Sequence, residues 1–200
     1  PIVLLDGDTW LRAPVTELLD RIGPGKAVMH IREGAIAEIE TQTFRELRDL
    51  LLSAEFLDLG GEKFNISPEL HMYNAGVVGL HQADAGLLDD VLSLTDQLIE
   101  LSDLHVMEQF AFSYFLAMET KLQESDDLVF HYWPPYLHVP FRQALPKLMA
   151  EAEKMPIKQR TDYLFAHRAQ PTWPRRGKVI AKRILQMAGI IRGRCRSNEW

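Results

Sequence analysis

Cysteine and long apolar runs are scarce in this sequence. Cys195 is the single cysteine among 200 residues, so the chain cannot form an internal disulfide and nothing requires an oxidising compartment. No apolar stretch approaches the roughly 18 residues that a membrane-spanning helix needs. These residues also contain no cationic segment followed by an apolar run, as in secretory signals. We therefore expect a cytoplasmic protein.

The composition is that of an ordinary globular protein with an uneven charge. Hydrophobic residues make up 46% and charged residues 25%, which argues against disorder and suits a sizeable core. The formal net charge is −6, yet residues 171–200 hold eight Lys or Arg and one acid, Glu199. The other 170 residues hold 14 basic and 27 acidic side chains. An acidic body is therefore followed by a basic tail.

Two carboxylates close to the amino end are the first candidate for chemistry. The apolar run 2–5 predicts a strand buried on both faces, and Asp6-Gly7-Asp8 follows it directly. Side chains alternate along an extended chain, so Asp6 and Asp8 should point the same way. Two such carboxylates repel unless a cation lies between them, and oxygen ligands suit Mg²⁺ or Mn²⁺. Two solvated turn aspartates are the alternative interpretation.

Apolar periodicity predicts an α/β chain. Thr43 and Glu46 have capping-box spacing near the start of the second helix. Prolines 134 and 135 should end regular structure after His131. The patterns predict helices at 13–20, 41–54, 83–101, 105–118, 142–153 and 156–168, and further strands at 27–31, 72–80 and 128–131.

The predicted strand 72–80 carries Asn74 and Gly76 in its middle. Glycine within a strand marks a bulge or the close approach of a ligand or backbone, and a buried Asn needs a partner. A tolerated small pair in a core strand is the alternative. His131, at a strand-to-loop junction beside aromatic residues, is either a ligand or a structural histidine.

Four segments together resemble the catalytic half of GT-A-fold glycosyltransferases, especially sugar transferases related to family 8. The matching segments are 4–8, 73–77, 108–109 and 129–133, in that order. The resemblance implies a GT-A-like mixed sheet flanked by helices, lacking the amino-terminal nucleotide-binding half and followed by a helical extension. It implies three regions: a catalytic and acceptor-side part at 1–140, a helical extension at 141–170 and the basic tail at 171–200.

The same resemblance implies roles for individual residues. Asp6, Asp8 and His131 would bind Mn²⁺ or Mg²⁺ on a nucleotide-diphosphate sugar, and imidazole favours Mn²⁺. Asp6, Asn74, Gly76 and Trp133 would contact substrate, and Glu108 and Gln109 would lie near the anomeric carbon. Glu108 alternatively serves as an ordinary acid in a first helical turn. The family's lysine after the final His is missing before Lys147, and His138 or Arg142 would have to replace it.

The expected reaction is transfer of a sugar, with retained configuration, to a glycan or lipid-linked acceptor. In the tail, basic residues alternate with apolar ones at helical spacing between 173 and 196, which predicts an amphipathic helix on an anionic membrane surface. A terminal helix docked on the acidic body is the alternative. Nucleic acid is not an expected partner, because the acidic body would repel phosphate.

Two rival functions remain from the sequence. A phosphatase of the haloacid-dehalogenase type also places aspartates after an early strand, and Asp126-Asp127 could supply its late metal motif. That class needs a small hydroxyl residue four positions after the first Asp, where this chain has Trp10. The other rival is a non-catalytic module, similar to sugar transferases, that binds a membrane or a partner.

Overall fold

The computed structural model describes residues 1–57, 61, 63, 66, 67 and 69–166. The chain divides into two compact units, Pro1–His131 and a second that begins at Tyr132, and each is described by itself. The basic tail, with its predicted membrane helix, lies outside the described residues. The described part is α/β, and it has a mixed sheet.

Eight strands lie in the described part of the first unit. The main sheet has four strands: the first and third are antiparallel to the sixth, and the third runs parallel to the seventh. The second and eighth strands form a separate antiparallel ribbon, and the fourth and fifth form another. They are β1 (Ile2–Leu5), β2 (Thr9–Leu11), β3 (Lys26–Met29), β4 (Arg32–Ala35), β5 (His71–Tyr73), β6 (Val77–Leu80), β7 (Lys121–Glu124) and β8 (Val129–His131).

The strand β1 is an edge strand, which corrects the expectation that it is buried on both faces. Among the described residues it pairs only with β6, in the sheet order β1-β6-β3-β7. Leu4 is 53% exposed and Leu5 42% exposed. Only Val3 packs partly on a core cluster. An unbroken apolar run predicts a strand, but it does not distinguish a central position in the sheet from an edge position.

The predicted strand 72–80 is in fact two strands in two sheets, β5 and β6. Asn74, Ala75 and Gly76 form the break between them. The Asn74 backbone donates to the Ile31 carbonyl over 2.8 Å, and its carbonyl accepts from His30 N–H over 3.1 Å. The prediction merged the two strands because their apolar residues continue on both sides of the break. The polar and glycine residues are therefore the junction itself.

Six α-helices are formed by the described residues. The first four belong to the first unit, and a short 3₁₀ turn at Gln82–Asp84 precedes the third of them, where the sequence predicted continuous helix. The helices are α1 (Val15–Leu19), α2 (Gln42–Ser53), α3 (Leu87–Leu101), α4 (Met107–Glu119), α5 (Pro135–Glu153) and α6 (Ile157–Ala166).

The helix α2 has the predicted extent but a different cap. Its N-cap is Thr41, whose hydroxyl oxygen accepts from Phe44 N–H over 3.4 Å. The predicted capping pair Thr43 and Glu46 is therefore wrong, because both residues already lie inside the helix. Glu46 instead accepts from the Gln42 side chain, one turn earlier, over 2.7 Å.

The main sheet has apolar residues packed on both faces. Alternate residues of β3 enter different core clusters: Ala27 and Met29 join residues of α3 and α4, and Val28 joins Leu18 of α1. This alternation is what the two-residue period of a strand requires. Phe110 of α4 is fully buried in the larger cluster. Complete burial of such a side chain contributes about 1.5–3 kcal/mol to stability.

In the second unit, α5 begins seven residues before the predicted start at 142. Pro134 is its N-cap and a second proline occupies the first helical position, where a missing N–H costs nothing. The prolines that were expected to stop regular structure therefore open a helix. The guanidinium of Arg160 donates to the carbonyls of Ala152 and Glu153, which fixes the connection to α6. None of the described helices has the length and apolarity needed to cross a bilayer.

Candidate metal centre

Three side chains from opposite ends of the first unit meet at one point. His131 Nε2 lies 3.0 Å from Asp8 Oδ1 and 3.6 Å from Asp6 Oδ2. The three potential ligand atoms all lie within 4.8 Å of one another. The His131 side chain is 4% exposed, whereas those of Asp8 and Asp6 are 29% and 58% exposed. The cluster is thus open to solvent on the carboxylate side and closed on the imidazole side.

The ribbon of β2 and β8 brings these residues together. Asp6 and Asp8 lie in the tight turn between β1 and β2, where the Asp6 carbonyl accepts from both the backbone and the hydroxyl of Thr9. Thr9 is paired directly with His131 in the ribbon. The Asp6 N–H donates to the Gly76 carbonyl over 3.1 Å, which ties the turn to the main sheet.

The far side of the His131 ring is held by Asn74. His131 Nδ1 lies 2.8 Å from Asn74 Oδ1, and the same oxygen accepts from Gly76 N–H over 3.0 Å. Because Oδ1 can only accept, Nδ1 must carry the hydrogen of this bond. In the neutral ring the lone pair of Nε2 then faces the two carboxylates. This arrangement calls for a cation or a proton among the three groups.

Gly76 makes room for the ring. A Cβ atom built at position 76 would lie 2.1 Å from His131 Nδ1 and 2.4 Å from Cε1. No side chain is compatible with that separation, so the ring packs directly against the backbone of residue 76. The sequence predicts a bulge or the close approach of a ligand or backbone at this glycine. The group that approaches is instead the imidazole side chain of His131.

A chain of hydrogen bonds extends from Asn74 to helix α4. The Asn74 amide donates to Glu33 Oε1 over 3.1 Å, and the Gln109 amide donates to Glu33 Oε2 over 2.9 Å. Gln109, predicted as a catalytic residue, is thus linked to His131 through Glu33 and Asn74. Glu108 is exposed in the first turn of α4 and takes no part in this chain. Sequence reasoning missed Glu33.

A second histidine, His30, lies against the first. The two rings meet edge to face with centroids 5.4 Å apart. His30 Nε2 donates to the Val129 carbonyl over 3.1 Å, while Nδ1 is buried without a hydrogen-bond partner among the described residues. Burial lowers the pKa of His30 below its ordinary value, against a smaller opposing effect of the bond to Val129. The lowered pKa favours the neutral form of His30, which places no positive charge beside the His131 ring. Its position at a strand end, like that of His131, was the signal that could have found it.

Trp133, His138 and Arg142 belong to the second unit. Trp133 is exposed just before α5, and Arg142 is exposed within α5. The His138 ring stacks on Tyr132, with centroids 5.9 Å apart. The substrate and diphosphate roles suggested for these three residues remain predictions.

Asp127 is engaged elsewhere. Both of its carboxylate oxygens accept from the Arg21 guanidinium, at 2.8 and 2.5 Å. These hydrogen bonds hold the pKa of Asp127 below its ordinary value. Arg12 donates to the Asp126 carbonyl over 2.8 Å. Arg21 and Arg12 therefore hold the β7–β8 connection through the Asp127 carboxylate and the Asp126 backbone carbonyl.

The donor set fits a divalent cation. Ligand atoms about 2.1 Å from an octahedral ion lie about 3 Å apart when adjacent and about 4.2 Å when opposite. The observed spread of up to 4.8 Å exceeds this only slightly, and the exposed Asp6 side chain can rotate to close the gap. Two carboxylates and one imidazole suit Mn²⁺ better than an all-oxygen set would.

Comparison with known proteins identifies no relative. No family model, curated protein or solved structure matches this chain. The interpretation of the centre therefore rests on its geometry and on the chemistry of its residues.

Proposed function

We propose that this protein is a metal-dependent glycosyltransferase that uses a nucleotide-diphosphate sugar as donor. The observation that carries the proposal is the convergence of Asp6, Asp8 and His131 Nε2 within 4.8 Å, with the ring held by Asn74. It is supported by the order of the motif residues in the sequence, which resembles that of GT-A-fold sugar transferases. The mixed sheet is compatible with that fold.

Asp6, Asp8 and His131 would hold the ion, Mn²⁺ or Mg²⁺. When bound, such an ion offsets the negative charge that develops on a diphosphate leaving group. The buried imidazole sets the position of the centre, and the exposed Asp6 leaves one side open to a donor. Three protein ligands suffice because diphosphate oxygens complete the coordination.

The chain's own residues account for the sugar side of the reaction. The carbon that loses the diphosphate becomes electron-poor, so a nearby amide oxygen or carboxylate stabilises it. The bond from Gln109 Nε2 to Glu33 fixes the amide so that its oxygen, rather than its nitrogen, is available to that carbon. Glu108 is the carboxylate alternative in the same helical turn. We further propose retention of configuration and a glycan or lipid-linked acceptor.

The membrane part of the proposal rests on the sequence pattern at 173–196 alone. Each basic residue near an anionic surface contributes about 1 kcal/mol of attraction. Full-length protein should sediment with vesicles containing anionic lipid, and a 1–172 variant should not. Equal sedimentation of the two would contradict peripheral attachment through the tail.

The rivals differ in what they bind. Engagement of Asp127 by Arg21 counts against the phosphatase, because it occupies a carboxylate that this mechanism needs for metal. A non-catalytic module would share the centre without transferring sugar. Turnover of the donor distinguishes the glycosyltransferase from the non-catalytic module.

The deciding experiment has two steps. Mn²⁺ is titrated into the full chain and the free ion is followed by electron paramagnetic resonance, with Asp8→Asn as the negative control. Calorimetry with a panel of nucleotide-diphosphate sugars, with and without Mn²⁺, then tests the donor. The proposal predicts saturable Mn²⁺ binding, lost in the variant, and donor binding only with the ion. Wild-type protein that binds no Mn²⁺ would overturn it. If a donor binds with Mn²⁺, an assay for release of the nucleoside diphosphate separates the enzyme from the non-catalytic module, which would release none.

A further inference from the structure

Glu33 holds two of the candidate site residues at once. One carboxylate oxygen accepts from the Asn74 amide at 3.1 Å and the other from the Gln109 amide at 2.9 Å. Asn74 comes from the break between β5 and β6, and Gln109 from the first turns of α4. A single exposed carboxylate thus bridges the group behind His131 and the side chain proposed to lie near the sugar.

The backbone around Glu33 is shaped to present this carboxylate. In the β4–β5 ribbon Arg32 pairs with Tyr73 and Gly34 pairs with Met72, so Glu33 is the extra residue of a β-bulge. Bulges turn a side chain away from the regular alternation and are frequent beside active sites. Gly34 has φ +132°, a conformation that residues with a side chain rarely adopt. Glu33 and Gly34 therefore form a bulge in β4, and the bulge places the Glu33 side chain within reach of Asn74 and Gln109.

The charge of Glu33 acts through Asn74 on the imidazole. A carboxylate that accepts from the Asn74 amide draws its hydrogens and makes Oδ1 a stronger acceptor, because hydrogen bonds in a chain polarise one another. Oδ1 in turn accepts from His131 Nδ1–H. The bond from Gly76 N–H sets the orientation of Asn74 as well, so Glu33 strengthens an orientation that the backbone already favours. The outcome is an Nε2 lone pair aimed at the two carboxylates.

From these contacts we infer that Glu33 is a positioning residue, which reinforces the Nδ1–H tautomer of His131 through Asn74 and fixes the orientation of the Gln109 amide directly. This inference rests on the proposed metal centre for its functional meaning. Its structural content, the tautomer and the amide orientation, exists in the metal-free protein.

The test compares three variants. Glu33→Ala removes both hydrogen bonds, and Glu33→Gln keeps the shape but can accept from only one of the two amides. Glu38→Gln is the matched control, because Glu38 is an exposed glutamate in the turn after β4 and its loss changes the net charge equally. Circular dichroism and thermal unfolding establish that each variant is folded.

The first readout is nuclear magnetic resonance of ¹⁵N-labelled, metal-free protein. At a pH at which the metal-free ring is neutral, His131 should be the Nδ1–H tautomer in the wild type and in Glu38→Gln. In both proteins the Gln109 amide should show one protected, shifted pair of resonances. In Glu33→Ala the Nε2–H tautomer should become populated and the Gln109 amide should move to the position of a solvated amide. Glu33→Gln should lie between.

The second readout is Mn²⁺ affinity, which loss of a partner behind a metal ligand lowers by about 10–100-fold. We expect a loss of about 10-fold in Glu33→Ala and less than 2-fold in Glu38→Gln. The inference is overturned if Glu33→Ala matches Glu38→Gln in the His131 tautomer and the Gln109 resonances. Should the wild type bind no Mn²⁺, the proposed function fails, whereas the metal-free spectra still decide the role of Glu33. If Glu33→Ala does not fold, the same comparison is made with Glu33→Gln.

Discussion

The imidazole of His131 occupies the space in which a side chain at Gly76 would have to begin. A Cβ there would lie 2.1 Å from Nδ1, and the ring cannot retreat because it is buried and bonded to Asn74. Replacing Gly76 by any other residue must displace the ring, the break between β5 and β6, or both. The centre therefore depends on a residue that contributes no side chain to it.

Gly76→Ala should lower both stability and metal binding. Overpacking at a closely packed site costs about 1–3 kcal/mol, and the displaced ring would no longer aim Nε2 at the carboxylates. Urea unfolding and Mn²⁺ titration measure the two effects. Gly86→Ala is the control: position 86 has φ −59°, and a Cβ there meets nothing within 4 Å. That variant should gain about 0.4–1 kcal/mol, and a neutral Gly76→Ala would show that the ring can move.

Replacing Asp6 or Asp8 by Asn should weaken Mn²⁺ binding without a matching loss of thermal stability. Asp6→Asn removes a charge that repels Asp8, so the metal-free protein should unfold at an equal or higher temperature, while Mn²⁺ affinity falls by at least about 10-fold. Asp8→Asn replaces the carboxylate oxygen 3.0 Å from His131 Nε2 by a neutral amide and should bind Mn²⁺ still more weakly. Differential scanning calorimetry and Mn²⁺ titration are the measurements. Asp103→Asn, on an exposed loop, controls for net charge, and equal Mn²⁺ affinities in all three variants would count against the centre.

The pair of Arg21 and Asp127 should make stability depend on pH in the acid range. The Arg21 guanidinium holds the folded-state pKa of Asp127 below its ordinary value. The stabilisation is therefore complete above the unfolded-state pKa and disappears as the pH falls through the folded-state pKa. Asp127 is 59% exposed, so solvent limits the contribution at neutral pH to about 0.5–1 kcal/mol.

Asp127→Asn should be less stable than the wild type at neutral pH by that amount, and the difference should shrink steadily towards zero in acid. Urea unfolding across a series of buffers measures it. Asp126→Asn is the neighbouring control for net charge, because the two bonds from Arg21 to a carboxylate go to Asp127. A difference that stayed constant with pH would show that packing, rather than charge, is lost in Asp127→Asn.

The start of α2 offers a direct comparison of two threonines. Thr41→Ala removes the oxygen that accepts from Phe44 N–H and should cost about 0.5–1 kcal/mol. Thr43→Ala lies inside the helix, where alanine is the better helix former, and should be neutral or slightly stabilising. Thermal unfolding of both variants decides the position of the cap. A larger loss in Thr43→Ala would restore the capping box that the sequence suggested.

Local patterns predicted the helices well, because the buried face of an amphipathic helix consists of apolar residues spaced three and four positions apart. The extent of α2 agrees with 41–54 to within a residue at each end. The same logic placed α4 at 105–118 against Met107–Glu119. Prolines misled it in the second unit, since α5 contains Pro140 and Pro146 and starts at a proline. A proline at a helix start and one that stops a strand look alike in sequence.

Strand partners were less predictable, because pairing depends on residues far apart in the chain. The short strands β2, β4 and β7 were missed, and the edge position of β1 was misread. The grouping of Asp6, Asp8 and His131 was suggested by a family resemblance and was not derivable from spacing. The role of Glu33 was not predictable, because its position depends on a β-bulge and a Glu-Gly pair alone does not indicate one.

The centre has a consequence for how the first unit assembles. Asp8 and His131 are 123 positions apart. Thr9, which follows Asp8, pairs with His131 in a ribbon that closes nearly the whole unit into a loop. Closing so long a loop has an entropy cost that must be met before its contacts form, so we expect this pairing to form late in folding. A nascent or truncated chain without residues 129–131 lacks the His131 ligand. An ion bound at the centre would therefore stabilise only the folded unit in which both ends of the loop have come together.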